Sequence, residues 1–140
     1  IRFSPFGMFN DMRDSDPVAL FRHAIGAMDR LGIGYVHLVE PRQELMYGGP
    51  VVDLGGKSVG GVFRDVFPGS IIAASGYDGP DAARVVDAGE ADAVAFGRWF
   101  ISNPDLPERL RRGIELTPYN RDTFYGGDAQ GYTDYPRATT

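Results

Sequence analysis

Short apolar runs alternate with helix-sized amphipathic segments along the chain. Ile1 to Pro5 reads as a strand that ends in a Ser-Pro turn, and residues 6–15, with Gly7, Asn10 and Asp11, read as a loop. Asp16-Pro17 is a helix start, a capping carboxylate followed by proline in the first turn. Leu20, Ala24, Met28 and Leu31 recur at helical spacing, Phe21 and Ile25 widen that stripe, and Gly32 is its stop. Ile33 to Val39 is the second strand. Residues 43–61 are glycine-rich without periodicity and read as a long loop, with a short helical turn over Val62 to Phe67. Ile71 to Ala74 is the third strand. Pro80 opens a helix carrying Ala82, Ala83, Val85 and Val86, which Gly89 ends. Ala91 to Phe96 is the fourth strand. Ser102-Asn103-Pro104-Asp105 reads as a further helix start, with Leu106 and Leu110 facing inward and an end near Gly113. Residues 114–140 lack periodicity but carry Tyr119, Phe124, Tyr125, Tyr132 and Tyr135. So aromatic a tail is expected to pack rather than hang free.

Strands alternating with helices predict an α/β fold with a parallel sheet and right-handed crossovers. Four such units match half of a (β/α)8 barrel. The 140 residues fall well short of the roughly 250 that a whole barrel needs. Alone, four strands leave two unpaired edges and an uncovered apolar face. Closure then requires strands from another half. The expected organisation is one domain over residues 1–140.

Charge and composition narrow the partners. A formal net charge of −5 argues against a nucleic-acid or anionic-membrane surface, which needs a basic field. With no cysteine, disulfides and thiolate metal sites are excluded. No paired-histidine spacing suggests a metal centre. No stretch reads as a membrane span or a signal peptide, so a cytoplasmic location is the expectation.

Two Gly-containing turns, Ser75-Gly76-Tyr77 and Gly97-Arg98, each follow a short apolar strand. In barrels of this kind the turns after the last two strands often form a phosphate clamp. Glycine lets backbone N–H groups approach an anion closely, and arginine adds a planar charged fork. The alternative is a plain turn glycine and a surface arginine. Arg2, inside a strand, either faces an electron-rich ring or carbonyl or pairs with a barrel carboxylate. His37, in an apolar strand, reads as a hydrogen-bonded core residue rather than a catalyst, and His23 as structural or solvated. Glu40-Pro41-Arg42 ends a strand where barrel enzymes place functional groups, but an internal Glu–Arg ion pair fixing the loop is the favoured role. Phe124 and Tyr125 line a flat ligand or anchor the tail.

Several strings then converge. Arg2-Phe3-Ser4-Pro5-Phe6-Gly7 resembles a strand and turn of the Old Yellow Enzyme family, and His37-Leu38-Val39-Glu40-Pro41-Arg42 its next strand. Phe96-Gly97-Arg98-Trp99-Phe100-Ile101-Ser102-Asn103-Pro104-Asp105-Leu106 is similar to that family's most recognisable motif. Tyr119-Asn120-Arg121-Asp122-Thr123-Phe124-Tyr125 and Gly131-Tyr132-Thr133-Asp134-Tyr135-Pro136 resemble its C-terminal signature. The resemblance runs in order over nearly the whole chain. It implies the C-terminal half, strands five to eight, of a TIM barrel.

What the resemblance implies about activity is an FMN-dependent ene-reductase. Hydride passes from NADPH or NADH through FMN to the activated C=C bond of an α,β-unsaturated carbonyl compound. Arg2 would contact the flavin pyrimidine oxygens. Ser75 and Gly76 would offer N–H groups to the phosphate, and Gly97 and Arg98 would complete the clamp. Serine at position 75 departs from the small residue, usually glycine, that the family carries. Phe124 would lie beside the flavin and Tyr125 over the substrate cavity, which the loop around Met46 and Tyr47 would border. The family's substrate-anchoring histidine pair or His/Asn pair and its proton-donating tyrosine belong to the N-terminal half. The expected partners are therefore an N-terminal half-barrel and a small enone, and the isolated chain is expected to be inactive. Two other readings stay open: a non-catalytic half-barrel binding a phosphate-bearing ligand or partner chain, and a flavin-free phosphate-binding barrel enzyme.

Overall fold

The computed structural model describes residues 1–41, 52–126 and 128–138. Two compact units emerge, residues 1–95 and 96–140. The first holds four parallel strands in the order β1-β2-β3-β4: β1 (Arg2–Phe3), β2 (Tyr35–Val39), β3 (Ser70–Ala74) and β4 (Ala93–Ala95). β1, β2 and β4 are shorter than their apolar runs, whereas β3 extends its run by one residue, Ser70. Residues such as Ile33 and Ala91 lead into the ladder without joining it.

The burial pattern shows which face the helices cover. Val36, Leu38, Ile71 and Ala73 are buried, while the alternate positions Tyr35 and Ser70 are exposed and His37 and Ile72 only partly covered. A parallel sheet covered on both faces reads as continuously apolar and buried. Here one face is packed and the other is open. The register aligns Arg2 with His37, His37 with Ile72 and Ile72 with Ala93, so these four form one row across the open face.

Helix α1 (Pro17–Arg30) starts as expected: the Asp16 carboxylate accepts from the Ala19 N–H at 3.0 Å, and proline occupies the first turn. Gly32 (φ +68°) ends it. Its inward stripe differs from the sequence expectation, because Leu20 and Leu31 are exposed and Ile25 is the buried position. Phe21 meets Phe3 edge-on, with ring centroids 5.7 Å apart. Arg22 pairs with Asp65 and donates to the Val62 carbonyl at 3.1 Å, which ties α1 to the segment after β2.

That segment corrects the long-loop reading of residues 43–61. Helix α2 (Val59–Phe63) begins inside it, capped by the Ser58 hydroxyl, and runs into a 3-10 turn over Arg64–Val66. Low helix propensity at Gly60 and Gly61 hides α2 from a sequence reading. Packing explains the glycine: a Cβ on Gly60 would stand 2.3 Å from the Glu90 carbonyl oxygen and 3.3 Å from Ile71 Cγ2. Arg42, Met46 and Tyr47 lie outside the described residues. Arg64 braces the sheet by donating to the carbonyls of Gly89 and Gly69 and to Asp92, whose carboxylate also accepts from the Ile71 N–H at 2.7 Å. The Arg64 bond first, and then the Ile71 amide, hold Asp92 below its usual carboxylate value. Helix α3 (Gly79–Asp87), capped by Asp78, precedes β4.

In the second unit, Gly97 leads directly into α4 (Arg98–Ser102), a helix the sequence reading omits. Ser102 and Asn103 therefore end one helix instead of opening the next, and α5 (Leu106–Arg112) follows Asp105. Asn103 is fully buried. Its Nδ2 donates to the carbonyls of Trp99 (2.9 Å) and Thr117 (3.1 Å) and to Ser102 Oγ, and its Oδ1 accepts from the Thr117 N–H at 2.8 Å. The tail does pack. Arg109, 5% exposed, reaches Asp105, the carbonyls of Glu115 and Pro136, and Thr117 Oγ1, while Asp105 Oδ2 accepts from the Ala138 N–H. Among the described residues no helix is long and apolar enough to cross a membrane.

Candidate functional site

The C-terminal ends of β2 and β3 bring together residues that the sequence separates by more than thirty positions. Glu40 ends β2 and is 6% exposed. Its Oε1 accepts from the Tyr77 hydroxyl at 2.7 Å, and both carboxylate oxygens accept from the Val59 N–H, at 3.1 and 3.2 Å. Tyr77 is itself buried. Between β3 and Tyr77 lie Ser75 (φ +86°) and Gly76 (φ +70°). Gly76 adopts this region freely, but serine does so at a cost. Ser75 is part-exposed and Gly76 exposed, so the turn is accessible. The sequence reading missed the Glu40–Tyr77 pair because the nearby Arg42 offered an obvious local partner for Glu40.

On the open face, Arg2 sits in register with His37. No ion pair joins Arg2 to a described carboxylate. The predicted hydrogen-bonded histidine is not what the structure holds: His37 Nε2 is buried without a described partner. Burial, and after it the cation of Arg2, push the His37 pKa below its ordinary value, which keeps the ring neutral. His23 is exposed on α1, as expected of a solvated residue.

In the second unit, Gly97 has no heavy atom within 4 Å of the place where a Cβ would stand, so its backbone is open to close approach. The Arg98 guanidinium lies 5.4 Å from the centroid of the Tyr119 ring, within cation–π range. Trp99, Tyr119 and Phe124 form a chain of aromatic contacts with centroid distances of 5.1 and 5.6 Å. Phe124 also meets Tyr125 edge-on. Phe124 is part-buried, whereas Tyr125 is 92% exposed and borders an open cleft of about 480 Å³ with Asp122, Thr123 and Gln130. In the first unit the accessible positive-φ turn suits an anion, and in the second, taken by itself, so does the unshielded glycine followed by a stacked arginine. The residues present fit such a group.

Against known proteins, the family model for the NADH:flavin oxidoreductase / NADH oxidase family matches residues 1–117. The chain belongs to that family. It is 44% identical over 141 residues to putative 12-oxophytodienoate reductase 10 of Oryza sativa subsp. japonica, covering 97% of this chain and 44% of the relative. It superposes on morphinone reductase in complex with tetrahydroNAD with a TM-score of 0.86 at 40% identity, over 99% of this chain and 35% of that one. It also superposes on the old yellow enzyme from Trypanosoma cruzi with a TM-score of 0.83 at 33% identity, over 99% of this chain and 34% of that one. The chain thus spans less than half the length of these relatives. The Old Yellow Enzyme resemblance read from the motifs is upheld, and the four-stranded parallel sheet is half of a TIM barrel. FMN-dependent oxidoreduction is the chemistry of this NADH:flavin oxidoreductase family.

Proposed function

We propose that this chain is the C-terminal part of an FMN-dependent ene-reductase acting on α,β-unsaturated carbonyl compounds, with an N-terminal half-barrel as its structural complement. When bound, FMN supplies hydride transfer from a reduced nicotinamide to the β-carbon of the activated alkene. The chain's own residues bind and orient. Arg2, on the open sheet face, supplies positive charge toward the pyrimidine oxygens of the ring. The N–H groups of Ser75 and Gly76 in the first unit, and the Gly97 backbone and the Arg98 fork in the second, would each serve to hold the phosphate. Phe124 flanks the ring, and Tyr125 covers the substrate cavity. The nicotinamide reductant is supported by the tetrahydroNAD bound to morphinone reductase. The need for a complement is supported by the sheet face where, among the described residues, Arg2 and Ala93 are exposed and His37 and Ile72 only partly covered.

The observation that carries the reading is the family match across both candidate turns, residues 75–76 and 97–98, within residues 1–117. The test is flavin content and enone-dependent oxidation of NADPH or NADH by the assembled holoprotein. Arg98→Ala is expected to weaken FMN retention by about 1.5–3 kcal/mol for each charge-assisted hydrogen bond lost. An assembled protein that binds no flavin overturns the reading. One that retains FMN without turning over any enone supports binding alone.

A further inference from the structure

We propose that Glu40 and Tyr77 form a positioning latch that holds the Ser75–Gly76 turn in its phosphate-accepting conformation, an inference that rests on the flavin reading above. Glu40 grips both ends of this turn. Its backbone N–H donates to the carbonyl of Ala74, the residue before Ser75, at 2.9 Å. Its side chain accepts from the hydroxyl of Tyr77, the residue after Gly76, at 2.7 Å. Its two carboxylate oxygens are further fixed by the Val59 N–H, so the carboxylate cannot swing away without leaving α2 uncapped at that amide.

The latch has something to hold. Ser75 sits at φ +86°, a region a serine leaves unless its surroundings over-determine it. Both neighbours of the turn are buried, Ala74 at 5% and Tyr77 at 3% exposure. A buried carboxylate is costly unless fully bonded. At the end of β2 an apolar side chain would fill the space more cheaply, and it could not reach Tyr77 with a hydrogen bond. The carboxylate at position 40 is explained by the conformation it enforces on residues 75–76, whose N–H groups are the proposed phosphate donors. Neither Glu40 nor Tyr77 touches the ligand in this account; both act through the turn.

The experiment separates the phosphate from the rest of the cofactor. Flavin is stripped from the holoprotein, and FMN and riboflavin, which lacks the phosphate, are titrated back by fluorescence quenching. Tyr77→Phe is expected to lower the preference for FMN over riboflavin about tenfold, with riboflavin affinity unchanged. Adding Ser75→Gly to Tyr77→Phe is expected to restore the preference, because glycine holds a positive φ without help. If Tyr77→Phe does not fold, Glu40→Leu, which cannot accept from the Tyr77 hydroxyl, is put through the same comparison. Equal weakening of FMN and riboflavin, or no change in their ratio, overturns the latch. A parent protein that binds neither flavin overturns the flavin reading itself, which is a different result from a parent that prefers FMN and a variant that does too.

Discussion

Asn103 offers the sharpest test of how the second unit is held. It sits between α4 and α5 with no exposure and bonds only to backbone and a neighbouring hydroxyl: the carbonyls of Trp99 and Thr117, Ser102 Oγ, and the Thr117 N–H. The amide has two N–H donors shared among three acceptors, plus one oxygen in use, so Asn103→Ala removes about three effective hydrogen bonds. At about 0.5–1.5 kcal/mol net for each, the expected loss is about 1.5–4.5 kcal/mol. A domain with about 5–15 kcal/mol in hand feels a loss of that size strongly. Asn103→Asp sharpens the argument. It keeps an oxygen for the Thr117 N–H but sets a buried carboxylate against two carbonyl oxygens. Burial and those oxygens raise its folded pKa, so the damage is full at neutral pH and eases as pH falls through that raised value. The assay is urea unfolding of the purified protein at pH 7 and pH 5, read from the midpoint at constant slope. Midpoints within about 0.5 kcal/mol of the parent for both variants would refute the reasoning, as would an Asn103→Asp variant that is less stable at pH 5 than at pH 7.

Gly60→Ala pits two effects against each other. Replacing a helical glycine gains about 1 kcal/mol of propensity, but the new methyl meets the Glu90 carbonyl at 2.3 Å, and overpacking against backbone costs about 1–3 kcal/mol or more. A net loss of stability is expected in urea unfolding, while Gly34→Ala, whose Cβ would meet nothing within 4 Å, stays within about 0.5 kcal/mol. Asp92 has a folded pKa below the usual 3.8 through Arg64 and the Ile71 amide. Its contribution is therefore present above that usual value and is lost as pH falls through the lower folded one. Since its side chain is 52% exposed, Asp92→Asn is expected to cost under about 1 kcal/mol at pH 7. That gap should narrow as unfolding curves are measured at pH values progressively below 3.8; a gap that widens there contradicts the assigned sign.

Local rules fixed much of this chain before any coordinates. Asp16-Pro17 and Gly32 bracket α1 because capping and positive-φ termination act within a few residues. The four apolar runs fall on β1 to β4 in parallel order because alternating strands and helices leave few other topologies. The motif strings carried the family. Tertiary contacts decided the rest. Leu20 and Leu31 share a helical repeat with Ala24 and Met28, yet they lie exposed, since a stripe's spacing does not say where its edge falls against the neighbouring turn. Helix α2 exists against the propensity of its glycines because the Glu90 carbonyl leaves room for nothing larger at Gly60. Glu40 found Tyr77 37 residues away, and Asn103 found Thr117 14 residues away. Such partners become neighbours only once strands and helices have packed, so burial, which makes those bonds worth keeping, cannot be read from the order of residues alone.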